Sequence, residues 1–278
     1  MLLIGFPLND CAALQSIAKG FSNFSHGRLN GCVLAVDGII IRCRAPFHQS
    51  ETENASTFCN RKGFYGIVII AGCDATLKFH FFSGKSPGST HDCIAWEYSS
   101  LYKSVFANKR LPSEYFAIGD DAFVYTNNFL TPFPGRNIGL FKDSFNYHLS
   151  SMWQCIERAF GVLVKRWVIL WRNLQCSIQR WKLILNVCAK LHNLCIDDAI
   201  DIDHVGTQPD ALDFGDTAEV HTINEPNIER DDDENFVATR IVEESERRDN
   251  IVDMLCKNGW VRPDWAKCNS HAFNKCIR

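Results

Sequence analysis

Three acidic positions stand out by where they fall: Asp37, Asp120 or Asp121, and Glu157. Asp37 sits in the middle of GCVLAVDGIIIRCR, the apolar run from Gly31 to Arg44. A charge inside such a run is expensive unless it is paired or binds a metal. Gly38 follows directly, and a residue without a side chain lets another group approach closely. Asp120, with Asp121 beside it, lies in the short apolar stretch YFAIGDDAF. Glu157 falls beside the apolar stripe of a helix, and Gly161, one turn later, keeps its surroundings open. Hard divalent cations such as Mg²⁺ or Mn²⁺ prefer oxygen ligands and take few of them from protein. Two such ions about 3.5–4 Å apart activate a water or a 3′-hydroxyl and stabilise the leaving oxygen of a phosphodiester. Carboxylates on two adjacent strands and a packed helix would meet that need. Arg61, Lys62, Lys165 and Arg166 are the cations that would hold the DNA backbone, with solvated surface as their plainer reading.

The elements that must position these acids are legible in the pattern. Val33, Leu34, Val36, Ile39, Ile40 and Ile41 are mostly β-branched and predict a buried strand around Asp37. Phe64–Cys73 and Leu77–Phe82 flank Asp74-Ala75-Thr76 and predict an antiparallel hairpin. Tyr115–Phe123 predicts a further strand, and Thr131–Gly139, with Pro132, Pro134 and Gly135, a loop. Leu149, Met152, Trp153, Ile156, Phe160, Leu163, Trp167 and Leu170 make one stripe, so Ser150–Trp171 reads as the strongest helix. Helices are also expected over Asp10–Phe21 with Asp10 as N-cap, His91–Phe106, Arg180–Cys195, and within Phe236–Trp260.

Net charge is −3, which hides an asymmetry. Residues 1–196 carry 20 Lys plus Arg against 12 Asp plus Glu, whereas residues 197–250 carry 4 against 18. A basic globular part joined to an acidic segment suits a nucleic-acid partner for the core. The segment 197–235 is poor in aromatics and without period, and is expected to be disordered. No apolar run approaches the roughly 18 to 20 residues needed to span a membrane, and residues 1–30 lack the pattern of a signal peptide. The 13 Cys, an odd number, then read as reduced thiols of the cytosol or nucleus.

Six stretches together resemble the DDE nuclease domain of PIF/Harbinger transposases and their domesticated relatives. They are AVDGIIIR, NRKGFYGIVI, SPGSTHDCIAWEYSSLY, IGDDAF, WQCIERAFGVLVKRW and AKLHNLC, in that order across residues 31–196. The resemblance implies an α/β, ribonuclease-H-like mixed sheet flanked by helices. It also implies a divalent-metal-dependent DNA endonuclease with strand transfer, acting in the nucleus, whose triad is Asp37, Asp120 and Glu157. Their separations of 83 and 37 residues suit the family. Asp121 occupies the place where the family usually has Ser, so Asp120 is taken as the ligand. Family members usually carry a longer helical region before the first catalytic strand, often with a DNA-binding helix-turn-helix. About thirty residues precede it here, so residues 1–30 read as a remnant of that region and residues 236–278 as a C-terminal helical tail. The resemblance further implies a Myb-like DNA-binding partner protein.

Other residues with chemical potential are assigned structural roles. Asp92, at a predicted helix start, is expected to satisfy free backbone N–H groups, with His91 beside it. His192 on an apolar helix reads as a core histidine. Cys256, Cys268, His271 and Cys276 are too irregularly spaced for a zinc site. For Glu157 the plainer reading is an ion pair with Arg158 or Arg61. The competing function is a domesticated protein that keeps the fold but serves in DNA binding or protein interaction.

Overall fold

The computed structural model describes residues 4–45, 55–200 and 246–263. Its centre is a five-stranded sheet in the order β3-β2-β1-β4-β5. The strands are β1 (Cys32–Arg42), β2 (Gly66–Cys73), β3 (Phe79–Pro87), β4 (Phe116–Ile118) and β5 (Phe129–Leu130). β1, β2 and β3 run antiparallel, while β4 lies parallel to β1 and β5 parallel to β4. With helices on both faces, this is an α/β mixed sheet of the ribonuclease-H-like kind. β2, GIVIIAGC, is buried throughout, as an apolar run between two neighbours must be. At the hairpin turn, Asp74 accepts from the backbone N–H groups of Thr76 (2.8 Å) and Lys78 (3.1 Å) and meets His80 Nε2 at 2.7 Å.

Two apolar layers cover the sheet. One lies under α3 (Leu140–Arg166) and α4 (Ile178–Asp197) and includes Ala35, Ile69, Phe79, Ile118, Ile156 and Phe160. The other lies under α1 (Cys11–Phe24) and α2 (Asp92–Glu97) and includes Leu14, Val36, Val68, Trp96 and Phe129. α1 begins as expected, with the Asp10 carboxylate accepting from Ala13 N–H at 3.0 Å, and it packs Leu14, Ala18 and Phe21 into the core. A last helix, α5 (Glu246–Lys257), packs on α3 and buries Arg248, which reaches the carbonyls of Thr131 (3.3 Å) and Pro132 (3.2 Å).

α4 clamps the edge strand. Asn193 accepts from Phe79 N–H (2.8 Å) and donates to Phe79 C=O (2.7 Å), filling the backbone positions an additional strand would have used. His192 Nε2 lies 2.9 Å from the Leu77 carbonyl, and its ring packs on Phe79. The structural role expected for His192 is the one observed.

Three expected elements differ in extent. The helix containing Glu157 starts at Leu140, ten residues earlier, because Phe145, His148 and Leu149 continue the buried stripe. The stretch 91–106 breaks into α2 and a π-helical turn, Tyr102–Phe106, which lets Trp96 and Phe106 pack together. The strand within Tyr115–Phe123 is only three residues long, since Asp120 and its neighbours leave the sheet. Asp197, expected in the disordered segment, ends α4 and pairs with Lys78 at 2.6 Å. The remainder of that segment from residue 201, together with Cys268, His271 and Cys276, lies outside the described residues.

Candidate active site

β1 and β4 are parallel, with Ala35 opposite Ile118. Asp37 lies two residues beyond Ala35, and Asp120 two beyond Ile118, so both acids reach the same end of the sheet. A period of two turns the Asp37 side chain to the face of Ala35 and Ile39, which is the face α3 covers. α3 is fixed there by the Trp153 indole, whose N–H donates to Val36 C=O at 3.0 Å. Glu157 lies one turn further along the same helix face. Its neighbour Ile156 is buried, while Glu157 itself is half-buried. Nothing stands near the Cβ position of Gly161, so the space after Glu157 is open.

The acids are poorly neutralised. Asp37 accepts from the Gly38 N–H at 2.7 Å, and Asp120 from the Ala122 N–H at 3.1 Å. Among the described residues none of the three forms a salt bridge, and the alternative pairing of Glu157 with Arg158 or Arg61 is not formed. Burial, reinforced by repulsion from Asp120, Asp92 and Glu157, pushes the Asp37 carboxyl up to about 8 against the Gly38 N–H. Burial, with repulsion from Asp121 and Asp92, pushes Asp120 up to about 6. Glu157 is raised by burial. Asp121 points outward and is exposed, leaving Asp120 as the inward member of the pair. Among the described residues no three of His, Cys, Asp and Glu stand close enough to hold an ion.

Asp92 does not do what was expected of it. The N-cap of α2 is His91, no side chain caps the helix, and the Asp92 carboxylate accepts no hydrogen bond among the described residues. It stands instead where a side chain on Gly38 would be. Burial raises its pKa, opposed by the charges of Arg61 and His91. The signal in the sequence was Gly38 itself, which announced a close approach without naming the group.

The basic residues divide. Arg61 and Lys62 are exposed on a tight turn held by buried Asn60, which accepts from the N–H groups of Lys62 (2.8 Å) and Phe64 (3.3 Å). Arg61 is close enough for its charge to act on Asp92. Lys165 is exposed near the end of α3. Arg166 corrects the expectation of DNA contact: it is 8% exposed and donates to Ile200 C=O at 3.0 Å. Helical spacing turns it to the side of Leu163 and the core, opposite to Lys165.

Residues 36–193 match the sequence profile of the DDE superfamily endonucleases, and the chain belongs to that family. It is also similar to the curated proteins named "Putative nuclease HARBI1". The mouse protein is 27% identical over 202 residues, which cover 72% of this chain and 55% of that one. The rat protein is 28% identical and the human protein 26%, each over 204 residues with the same coverage. The chain thus spans about half the length of the curated relatives it matches. No solved structure matches it.

Proposed function

We propose that this chain is a divalent-metal-dependent DNA endonuclease of transposase type, with Asp37, Asp120 and Glu157 as its metal-binding carboxylates. What supports the reading is that Asp37 lies on β1, Asp120 follows the paired β4, Glu157 rides on the helix bonded to Val36, and among the described residues none of the three forms a salt bridge. Their oxygens form the donor set that Mg²⁺ or Mn²⁺ prefers. When bound, the ions would supply an activated water or 3′-hydroxyl and stabilise the leaving oxygen. The chain's own part is to hold those oxygens on rigid elements. β1 carries Asp37, the turn after β4 carries Asp120, and the Trp153–Val36 hydrogen bond fixes the helix that carries Glu157. Arg61, Lys62 and Lys165 supply positive charge for the phosphate backbone. Strand transfer, nuclear action and help from a Myb-like DNA-binding partner belong to the same reading, through the likeness to Harbinger-type transposases.

Labelled duplex DNA incubated with the protein and Mg²⁺ or Mn²⁺ tests it. Cleavage by the wild type, and none by Asp37→Ala, is the expected result. Binding without cleavage in either metal would make the chain a DNA-binding module on a nuclease fold.

A further inference from the structure

We propose that the outer edge of β3 carries a second DNA contact, a cradle in which Lys85 and Lys182 share one phosphate of the backbone. The inference takes its partner from the reading above and adds a surface that reading does not use. β3 is an edge strand of the sheet. Its register with β2 shifts between Ser83, opposite Ile70, and Ser86, opposite Val68, so β3 carries one extra residue there. Such a bulge bends the strand and re-aims its side chains. Gly84 and Lys85 are the residues within it. Gly84 lies against α4, where a Cβ would come to 3.0 Å from Leu185 Cδ1. That close approach brings Lys182, one turn before Leu185, to the strand edge. The result is a cavity of about 180 Å³, lined by Ser83, Gly84 and Lys85, by Ser100 beyond α2, and by Lys182 and Leu185 of α4. Small-molecule sites usually take about 300–1,000 Å³, so this one suits a phosphate group better than a whole nucleoside.

Its charge points the same way. Residues 79–91, 98–113 and 178–196, which meet here, hold seven Lys plus Arg and no Asp or Glu. Lys85 and Lys182 are exposed, and among the described residues neither forms a salt bridge. The Ser83 and Ser100 hydroxyls make no hydrogen bond there either, and serine hydroxyls are regular donors to phosphate oxygens. A lysine on an edge strand has a plainer use, which is to keep other strands from pairing with it. Lys182 lies on a helix, and that use does not account for it. The cradle is also level with the acids. Gly38, next to Asp37, is opposite Ile70, and Ile70 is opposite Ser83. Two strand spacings, roughly 10 Å, separate Ser83 from β1, so one duplex reaches both within a few nucleotides.

The test is binding of labelled duplex DNA to the full chain over a salt series, without divalent metal so that the duplex stays intact. The double variant Lys85→Gln with Lys182→Gln should bind more weakly and lower the slope of log affinity against log salt by about 0.9, one phosphate. Two lysines on separate phosphates would lower it by about 1.8 and overturn the shared cradle. Lys19→Gln removes the same charge from α1, whose Gly20 neighbours Ala75 in the turn at the far end of β2 and β3. It should leave the slope unchanged, and an equal fall for it would reduce the effect to general charge. An unchanged slope in the double variant would leave the two lysines as surface charge and sink the cradle, while the metal-dependent reading stands. A wild type that cuts no DNA with Mg²⁺ or Mn²⁺, with the slopes as expected, would sink that reading and keep the cradle. A wild type that binds no duplex would overturn both.

Discussion

The indole N–H of Trp153 donates to the backbone carbonyl of Val36 at 3.0 Å, joining the long helix to β1 one residue before Asp37. It is a direct hydrogen bond between the element that carries Glu157 and the element that carries Asp37. Trp153→Phe preserves the aromatic packing and removes the donor, leaving the carbonyl short of a partner. Stability should fall by about 1–3 kcal/mol, measured by urea unfolding. DNA cleavage should fall further than stability explains, because small misplacements of a catalytic group cost rate steeply. Equal cleavage by Trp153→Phe and wild type, under conditions where both are folded, would show that this bond does not align Glu157.

Two buried histidines should weaken the fold as pH falls. Burial pushes His148 and His192 down to about 4 from an ordinary 6.5. Between those values the unfolded chain binds protons that the native state does not. Their contribution is complete above pH 6.5 and is lost as pH falls toward 4. His192→Gln retains a donor for the Leu77 carbonyl and cannot take up a proton. The stability difference between wild type and this variant should therefore move in favour of the variant as pH falls from 6.5 to 4. A difference independent of pH would mean that His192 titrates alike in both states.

Much of this architecture was legible in the sequence because burial writes itself in residue type. The β-branched run around Asp37, the turn at Asp74 and the stripe through Met152, Ile156 and Phe160 each report local geometry. What was not legible depends on long-range packing. Nothing near Asp92 says that its carboxylate will lie over Gly38, since 54 residues separate them and local pattern assigns Asp92 to the helix start. Arg166 is disguised for a similar reason. It follows Lys165, and the two look equivalent until the helix turns one outward and the other under Ile200.

The same distinction predicts opposite phenotypes for neighbouring cations. Arg61→Ala and Lys165→Ala should each weaken DNA binding and lower the slope of log affinity against log salt by about 0.9, the share of one phosphate contact. Neither should alter stability by more than about 0.5 kcal/mol. Arg166→Ala should leave that slope unchanged and destabilise the protein by about 1–3 kcal/mol through the lost packing and the lost bond to Ile200. Fluorescence anisotropy on duplex DNA over a salt series, beside urea unfolding of each variant, separates the two classes. A reduced salt slope for Arg166→Ala would return that residue to the DNA surface.

Metal and pH should act on the carboxylates in opposition. An ordinary aspartate loses its proton near 3.8, whereas folded Asp37 keeps its proton up to about 8 and Asp120 up to about 6. Across that interval the native state binds more protons than the unfolded chain, so metal-free stability should decline as pH rises from about 4 to 8. Divalent cation replaces the protons as counter-charge and binds the ionised form, so the stabilisation by Mn²⁺ should grow over the same interval. Asp37→Asn has no proton to lose at this position. It should be more stable than metal-free wild type at pH 8, gain little from Mn²⁺, and leave DNA uncut while still binding it. Urea midpoints at pH 5, 6.5 and 8, with and without Mn²⁺, test the coupling. A wild type whose metal-free stability is flat between pH 5 and 8, and equal to that of Asp37→Asn at pH 8, would show that the acids do not confront one another as the fold places them.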